Sequence, residues 1–239
     1  NPGDEVIIPE PCFVCYYPIT TLTGGVPVPL PLKAENEFRL SPAQLEAAIT
    51  PRSKLLVLPF PCNPTGGIME LEDLQKLVPI LKEKGIMVLS DEIYAELTYG
   101  QKHVSMANIP EMYDQTIVVN GMSKCYSMTG WRLGYVIAPA PIIERAKKVH
   151  DFLTVGAAAP LQEAVIPGLK FGQDYYDDLL QKYTHKRDLF CKGLDELGLV
   201  HNTPEGAYYV LMDISEFGYS SDLEFCEDLA RLVKVGAVP

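Results

Sequence analysis

The sequence predicts an α/β fold built on a mostly parallel sheet with flanking helices. Apolar runs typical of strands buried on both faces alternate with segments of helical period. The connections between those runs are long enough for crossovers rather than hairpins. Beyond about Ile142 the pattern turns helical, which predicts a second, smaller α+β unit. The boundary is expected near residue 174, with 1–174 as the large domain and 175–239 as a long connecting helix and part of a small domain.

Each element has a local reason. Val6–Ile8 is an apolar run that follows the turn-forming Asn1-Pro2-Gly3-Asp4. Val26–Leu32 alternates apolar residues with prolines, which confines it to a sheet edge. Leu45–Ile49 reads as a short helix, with Ser41 as cap and Pro42 in its first turn. Lys54–Phe60, Ile86–Ser90, Thr116–Asn120 and Leu133–Ala138 read as strands. Leu71–Lys84 has helical period and stops at Gly85, with Pro79 predicting a kink or an early break. Tyr175–Leu197 is a long helix ending at Gly198, Tyr208–Ile214 a strand, and Asp222–Leu232 a helix.

The 239 residues carry 20 Lys and Arg against 31 Asp and Glu, a formal net charge of −11, with no long basic cluster. That balance argues against nucleic acid or an anionic membrane as partner. No apolar run is long enough to span a bilayer. Of six cysteines, only Cys12 and Cys15 form a C-x-x-C, and no second pair completes a zinc site, so reduced thiols in the cytoplasm are expected and no metal. The chain starts close to a strand and stops in an apolar stretch, so a fragment of a longer protein is expected.

Open α/β sheets bind ligands beyond the carboxyl ends of their strands. Asn63, Asp91 and Lys124 each follow a different predicted strand at that end. Lys124 stands in a segment poor in other charges, with Arg132 eight residues on. Partial burial and a nearby cation both favour a neutral, nucleophilic amine, and an arginine grips phosphate through paired hydrogen bonds. Together they fit a lysine that forms a Schiff base with a phosphorylated aldehyde, the chemistry of pyridoxal phosphate. Asp91 alone reads first as a helix cap, but beside Lys124 and Asn63 it suits a pyridine nitrogen. Tyr94 shares its side if a helical turn starts there. Asn63 lies in Cys62-Asn63-Pro64-Thr65-Gly66-Gly67, either an ordinary turn or a donor loop whose glycines let backbone approach a ligand. Phe13 is a core residue or a flat platform for a flat ring. Glu92 is expected to be solvated, and the four histidines have no assigned role.

The segment Ser123-Lys124-Cys125-Tyr126-Ser127-Met128-Thr129-Gly130-Trp131-Arg132, with N-P-T-G-G at 63–67, D-E-I-Y at 91–94 and N-P-G-D-E-V at 1–6, resembles the class I/II aminotransferases of fold type I, the PLP-transferase-like fold. The resemblance implies pyridoxal 5′-phosphate on Lys124 as an internal aldimine, with Lys124 as proton shuttle. Asp91 would sit at the ring nitrogen, and Tyr94 and Asn63 at the ring's 3′ oxygen. Arg132, helped by Ser123, would hold the phosphate, and Phe13 would stack on the ring. Asn63 would also touch the substrate carboxylate. It implies amino acid and 2-oxo acid substrates and a homodimeric parent. It also places a glycine-containing phosphate loop and an N-terminal arm before Asn1, and a carboxylate-binding arginine after Pro239. On that reading the fragment by itself is expected to bind cofactor weakly and to be inactive. Carbon–sulfur lyases and decarboxylases of the same fold share these residues. A ligand-sensing domain of a transcription regulator is the alternative from another class. The Met128-Thr129-Gly130-Trp131-Arg132 form favours the aminotransferases.

Overall fold

The computed structural model describes residues 1–239. One six-stranded sheet forms its centre: β1 (Glu5–Glu10), β2 (Val26–Pro31), β3 (Ser53–Leu58), β4 (Met87–Asp91), β5 (Thr116–Gly121) and β6 (Gly134–Ile137). The spatial order is β2-β1-β3-β4-β5-β6, parallel throughout except for the antiparallel pair β5–β6. The proline-alternating β2 is an edge strand, where a residue without an N–H costs no ladder bond. The chain moves to one side of β1 for β2 and to the other for β3. The loops after β1 and β3 therefore part, and a crevice opens between them at the carboxyl edge.

The core lies where helices cover this sheet. α1 (Tyr16–Leu22) packs on β1 and β2, and α2 (Pro42–Ala48) packs on β2 and on α3 (Leu71–Lys84). Ile7, Leu45, Leu56, Leu74, Leu77, Leu81, Ile86 and Val88 are fully or almost fully buried in one cluster. α2 begins with a reciprocal capping box between Ser41 and Gln44. α3 runs unbroken through Pro79, correcting the expected break. The missing N–H there costs one backbone bond, while Leu77, Ile80 and Leu81 on either side are held in the core. α3 ends as expected on Gly85 at φ +63°.

The later part is helical. α4 (Met122–Cys125) is a single turn, followed after β6 by α5 (Ala140–Thr154), α6 (Ala159–Val165) and the long α7 (Gln173–Glu196). The strand expected at Tyr208–Ile214 does not form. Met212 makes one bridge to His201, and Asn202 and Leu211 bond each other, but no second ladder reaches the segment to extend it. The helix expected over Asp222–Leu232 is α8 (Asp222–Asp228), continued by a π-helical turn over Leu229–Val233. No helix is long and apolar enough to cross a membrane.

Gly66 of the 63–67 loop is packed against a distant segment of the chain. Gly66 lies at φ +66°, and a Cβ there would stand 2.3 Å from the Pro204 Cβ. Its carbonyl accepts from the N–H groups of Glu205 and Gly206, so the chain around residue 205 is pressed flat against the loop. Arg39 fastens the same junction. Its half-sheltered guanidinium meets Glu37 at 3.1 Å, Glu70 at 2.8 Å, Asp73 at 3.1 Å and Glu205 at 2.8 Å. Gly66→Ala is expected to lower unfolding free energy by about 1–3 kcal/mol, through overpacking and a disfavoured φ. Gly193→Ala, inside α7 with open space at its Cβ position, should instead gain up to about 1 kcal/mol. Urea unfolding of both variants checks the pair.

Candidate active site

A cleft of about 520 Å³ opens at the carboxyl edge of the sheet. It is lined by Phe13 and Tyr16 from the chain after β1, Asn63 after β3, Asp91 at the end of β4 and Tyr94 in the turn beyond. Ser123 and Lys124 line it from α4, and Arg132 from the approach to β6. All seven residues singled out in the sequence thus face one cavity. The strand register explains the convergence. Leu58 pairs with Ser90, and Asp91 pairs with Val119, so β3, β4 and β5 end at similar heights.

Lys124 and Arg132 meet for a separate reason. β5 and β6 close antiparallel with Gly121 opposite Gly134, and the Met122 N–H donates to the Leu133 carbonyl at 3.2 Å. The excursion from 122 to 133 therefore returns to its own start. A Cβ on Gly121 would lie 2.9 Å from the Leu133 oxygen, so the closure requires the glycine. Arg132 sits in the left-handed region at φ +56°, and its Nη1 donates to the Thr129 carbonyl at 2.9 Å.

Asp91 and Tyr94 share the cleft through a turn, not the helical turn anticipated. The Ala95 and Leu97 N–H groups donate to the Glu92 and Tyr94 carbonyls. One Asp91 oxygen accepts from the Ile93 N–H at 3.1 Å, bracing the turn rather than capping a helix; the other accepts from the Tyr16 hydroxyl. Burial raises the Asp91 carboxyl above its ordinary range, and these two hydrogen bonds only partly oppose it. No cation is paired with it. Burial likewise pushes the Tyr16 phenol strongly up, with Asp91 adding to the effect.

Glu92 corrects the expectation of a solvated side chain. It is 5% exposed and turned away from the cleft. Ser90 and Ser105 donate to its Oε1 at 2.9 and 2.6 Å, and His103 Nε2 lies 3.1 Å from Oε2. Burial alone would raise this carboxyl. The His103 and serine partners outweigh burial and hold it below its ordinary value of about 4.5. His103, without a role in the sequence reading, thereby ties the 103–105 segment to the turn that carries Tyr94.

Three tyrosines of the site were missed. Tyr16 is the partner of Asp91. The Tyr209 hydroxyl accepts from Asn63 Nδ2 at 3.1 Å and lies 2.9 Å from the Tyr94 hydroxyl. Lys124 Nζ donates to the Tyr208 hydroxyl at 2.9 Å and stands 5.5 Å from the ring centres of both Tyr94 and Tyr208. Tyr16 shares an aromatic block with Phe13, and Tyr208 and Tyr209 follow a Pro-Glu-Gly turn. Neither pattern points to a site until the chain folds back.

The arrangement sets a lysine amine beside a buried carboxyl, hydroxyl and amide groups and an arginine, around a cleft large enough for a flat ring. The sequence matches the family model "Aminotransferase class I and II" over residues 1–239. The chain belongs to that family. It is 38% identical over 240 residues to an aspartate aminotransferase of Pyrococcus abyssi, covering 99% of this chain and 61% of that protein. It is 37% identical to aromatic-amino-acid aminotransferase 2 of Thermococcus litoralis, with the same coverage. The crystal structure of the aromatic aminotransferase from Pyrococcus horikoshii superposes on all of this chain and 65% of that one, with a TM-score of 0.94 at 36% identity. The chain spans about 60% of the length of the curated relatives it matches.

A carboxylate held below its unfolded pKa stabilises the fold above that value, and the stabilisation is lost as pH falls through the folded pKa. Glu92 should therefore contribute fully above about pH 4.5 and progressively less below it. Glu92→Gln should cost about 1–3 kcal/mol near neutrality, because it takes a charged acceptor from the buried Ser90 and Ser105 donors. It should also flatten the acid limb of stability, as read by urea unfolding over a pH series.

Proposed function

We propose that the protein is a pyridoxal 5′-phosphate-dependent aminotransferase, which moves an amino group between an amino acid and a 2-oxo acid. The observation that carries this reading is the gathering of Lys124, Asp91, Asn63, Tyr94 and Arg132 around one cleft at the ends of three neighbouring strands. Bound there, pyridoxal phosphate supplies an aldehyde on an electron-withdrawing ring. The cleft fits such a group. Asp91 is desolvated and without a cation, and a protonated ring nitrogen is the partner it lacks.

In this reading each residue acts at a stated atom. Lys124 holds the group through Nζ and, when free, moves a proton at Nζ. Asp91 keeps the ring nitrogen protonated, and Tyr16 holds the Asp91 carboxyl in place. Tyr94 and Asn63, cross-linked through the Tyr209 hydroxyl, orient the ring's phenolic oxygen. Asn63 also reaches toward the substrate carboxylate. Arg132 and Ser123 bind the phosphate, and Phe13 covers the ring face. Residues 1–174 form the cofactor-binding domain, and 175–239 supply a connecting helix and part of a small domain. A cytoplasmic homodimer is the assembly proposed for the whole protein.

The chain mixed with pyridoxal phosphate and then reduced with borohydride should carry a pyridoxyl group on Lys124 by peptide mapping, and none in Lys124→Ala. Label on other lysines only would overturn the assignment. Asp91→Asn should weaken cofactor binding about tenfold or more, the worth of one charged hydrogen bond. In the whole protein, an amino donor and a 2-oxo acid should yield a new amino acid. Release of ammonia without an acceptor would instead indicate a lyase.

A further inference from the structure

The contact between Lys124 Nζ and the Tyr208 hydroxyl, at 2.9 Å, is used by none of the roles above. The phenol is fixed from outside the lysine's own loop. Its ring stacks on Tyr183 of α7 with centres 5.5 Å apart and planes 20° from parallel. It stands edge-on to Tyr94, with centres 5.2 Å apart and planes at 87°, and leans on Tyr209 at 4.9 Å. Tyr208 is also a wall of a second cavity of about 350 Å³, where Lys186 and Arg187 are the charged neighbours. The titratable groups around Tyr208 are thus Lys124, Lys186, Arg187 and the phenols of Tyr94, Tyr183 and Tyr209. The Tyr208 oxygen is the one acceptor bonded to Nζ.

We propose that Tyr208 is the proton partner of Lys124: an ammonium at Nζ passes its proton to a Tyr208 phenolate, leaving a neutral amine and a neutral phenol, and the reverse transfer restores the pair. One N–H bond breaks, one O–H bond forms, and no other reactant takes part. The inference rests on the reading of Lys124 as the cofactor's lysine. Of Tyr94, Tyr208 and Tyr209, Tyr208 is the one poised for this. Burial pushes it up, but the hydrogen bond from Lys124, with the neighbouring Tyr94, outweighs burial and holds it below the ordinary tyrosine range. Tyr94 and Tyr209 move the other way, burial being the main cause in each.

Two readouts test it. In the cofactor-free chain, ultraviolet titration of tyrosinate should show one phenol ionising before the others. That step should vanish in Tyr208→Phe, which keeps the ring stack, and move to higher pH in Lys124→Gln, which removes the cation. In the second readout, the rate of borohydride-trapped pyridoxyl fixation on Lys124 near neutral pH should fall about tenfold or more in Tyr208→Phe. Tyr183→Phe should leave it unchanged. An early tyrosinate step that survives Tyr208→Phe, or a fixation rate and pH profile equal to wild type in that variant, overturns the role of Tyr208 while leaving Lys124 as the cofactor lysine. Failure of the wild-type chain to take pyridoxyl on Lys124 overturns the lysine reading, and the inference with it.

Discussion

Parallel strands cannot be joined by tight turns, so every connection in β1 to β5 crosses back over the sheet, and every strand end that faces a ligand faces it from the same edge. The hydrogen-bonded register of β3, β4 and β5 is the constraint on which the site depends. It sets Asn63, Asp91 and the loop of Lys124 at matching depth, although 61 residues of chain separate the first from the last. A slip of one residue in either pairing would turn the strand-end side chains to the opposite face. The burial of Leu56, Leu58 and Val88 in the main core cluster fixes that register, so the core and the site are set by one arrangement.

The antiparallel β6 does a different job. A sixth parallel strand would have needed a crossover and would have carried Arg132 away from Lys124. The return at Gly121 and Gly134 instead folds the segment onto itself and brings lysine and arginine into one cavity. Much of the rest of the site then comes from distant sequence. The chain at 204–209 is pinned against Gly66 and held by Arg39 through Glu205, and it delivers two tyrosine hydroxyls to Lys124, Asn63 and Tyr94.

Asp91 and Glu92 show how placement, not residue type, assigns a carboxyl its work. Both are buried, and alternation along the chain sends them to opposite sides. Glu92 meets His103 and two serines and is held ionised as a structural tie. Asp91 meets a phenol and one backbone N–H, its carboxyl is raised, and it remains able to pair with a cation presented from the cleft.

The sequence alone determined the sheet, since apolar runs, capping residues and breakers act over a few residues and are written in order. All six strands, α3 with its glycine stop and the Ser41 cap were legible in this way, and so was the meeting of Asn63, Asp91 and Lys124 at one edge, since each follows a strand, with Tyr94 and Arg132 a few residues beyond two of them. What tertiary structure decided was every partner drawn from elsewhere in the chain. Tyr16 gained its meaning by facing Asp91, Tyr208 and Tyr209 by arriving beside Lys124 and Asn63, and His103 by closing on Glu92. The absent strand at 208–214 belongs with these, since a strand exists only where a second one comes to pair with it. Periodicity records which face of an element is buried; it holds no record of what will be buried against it.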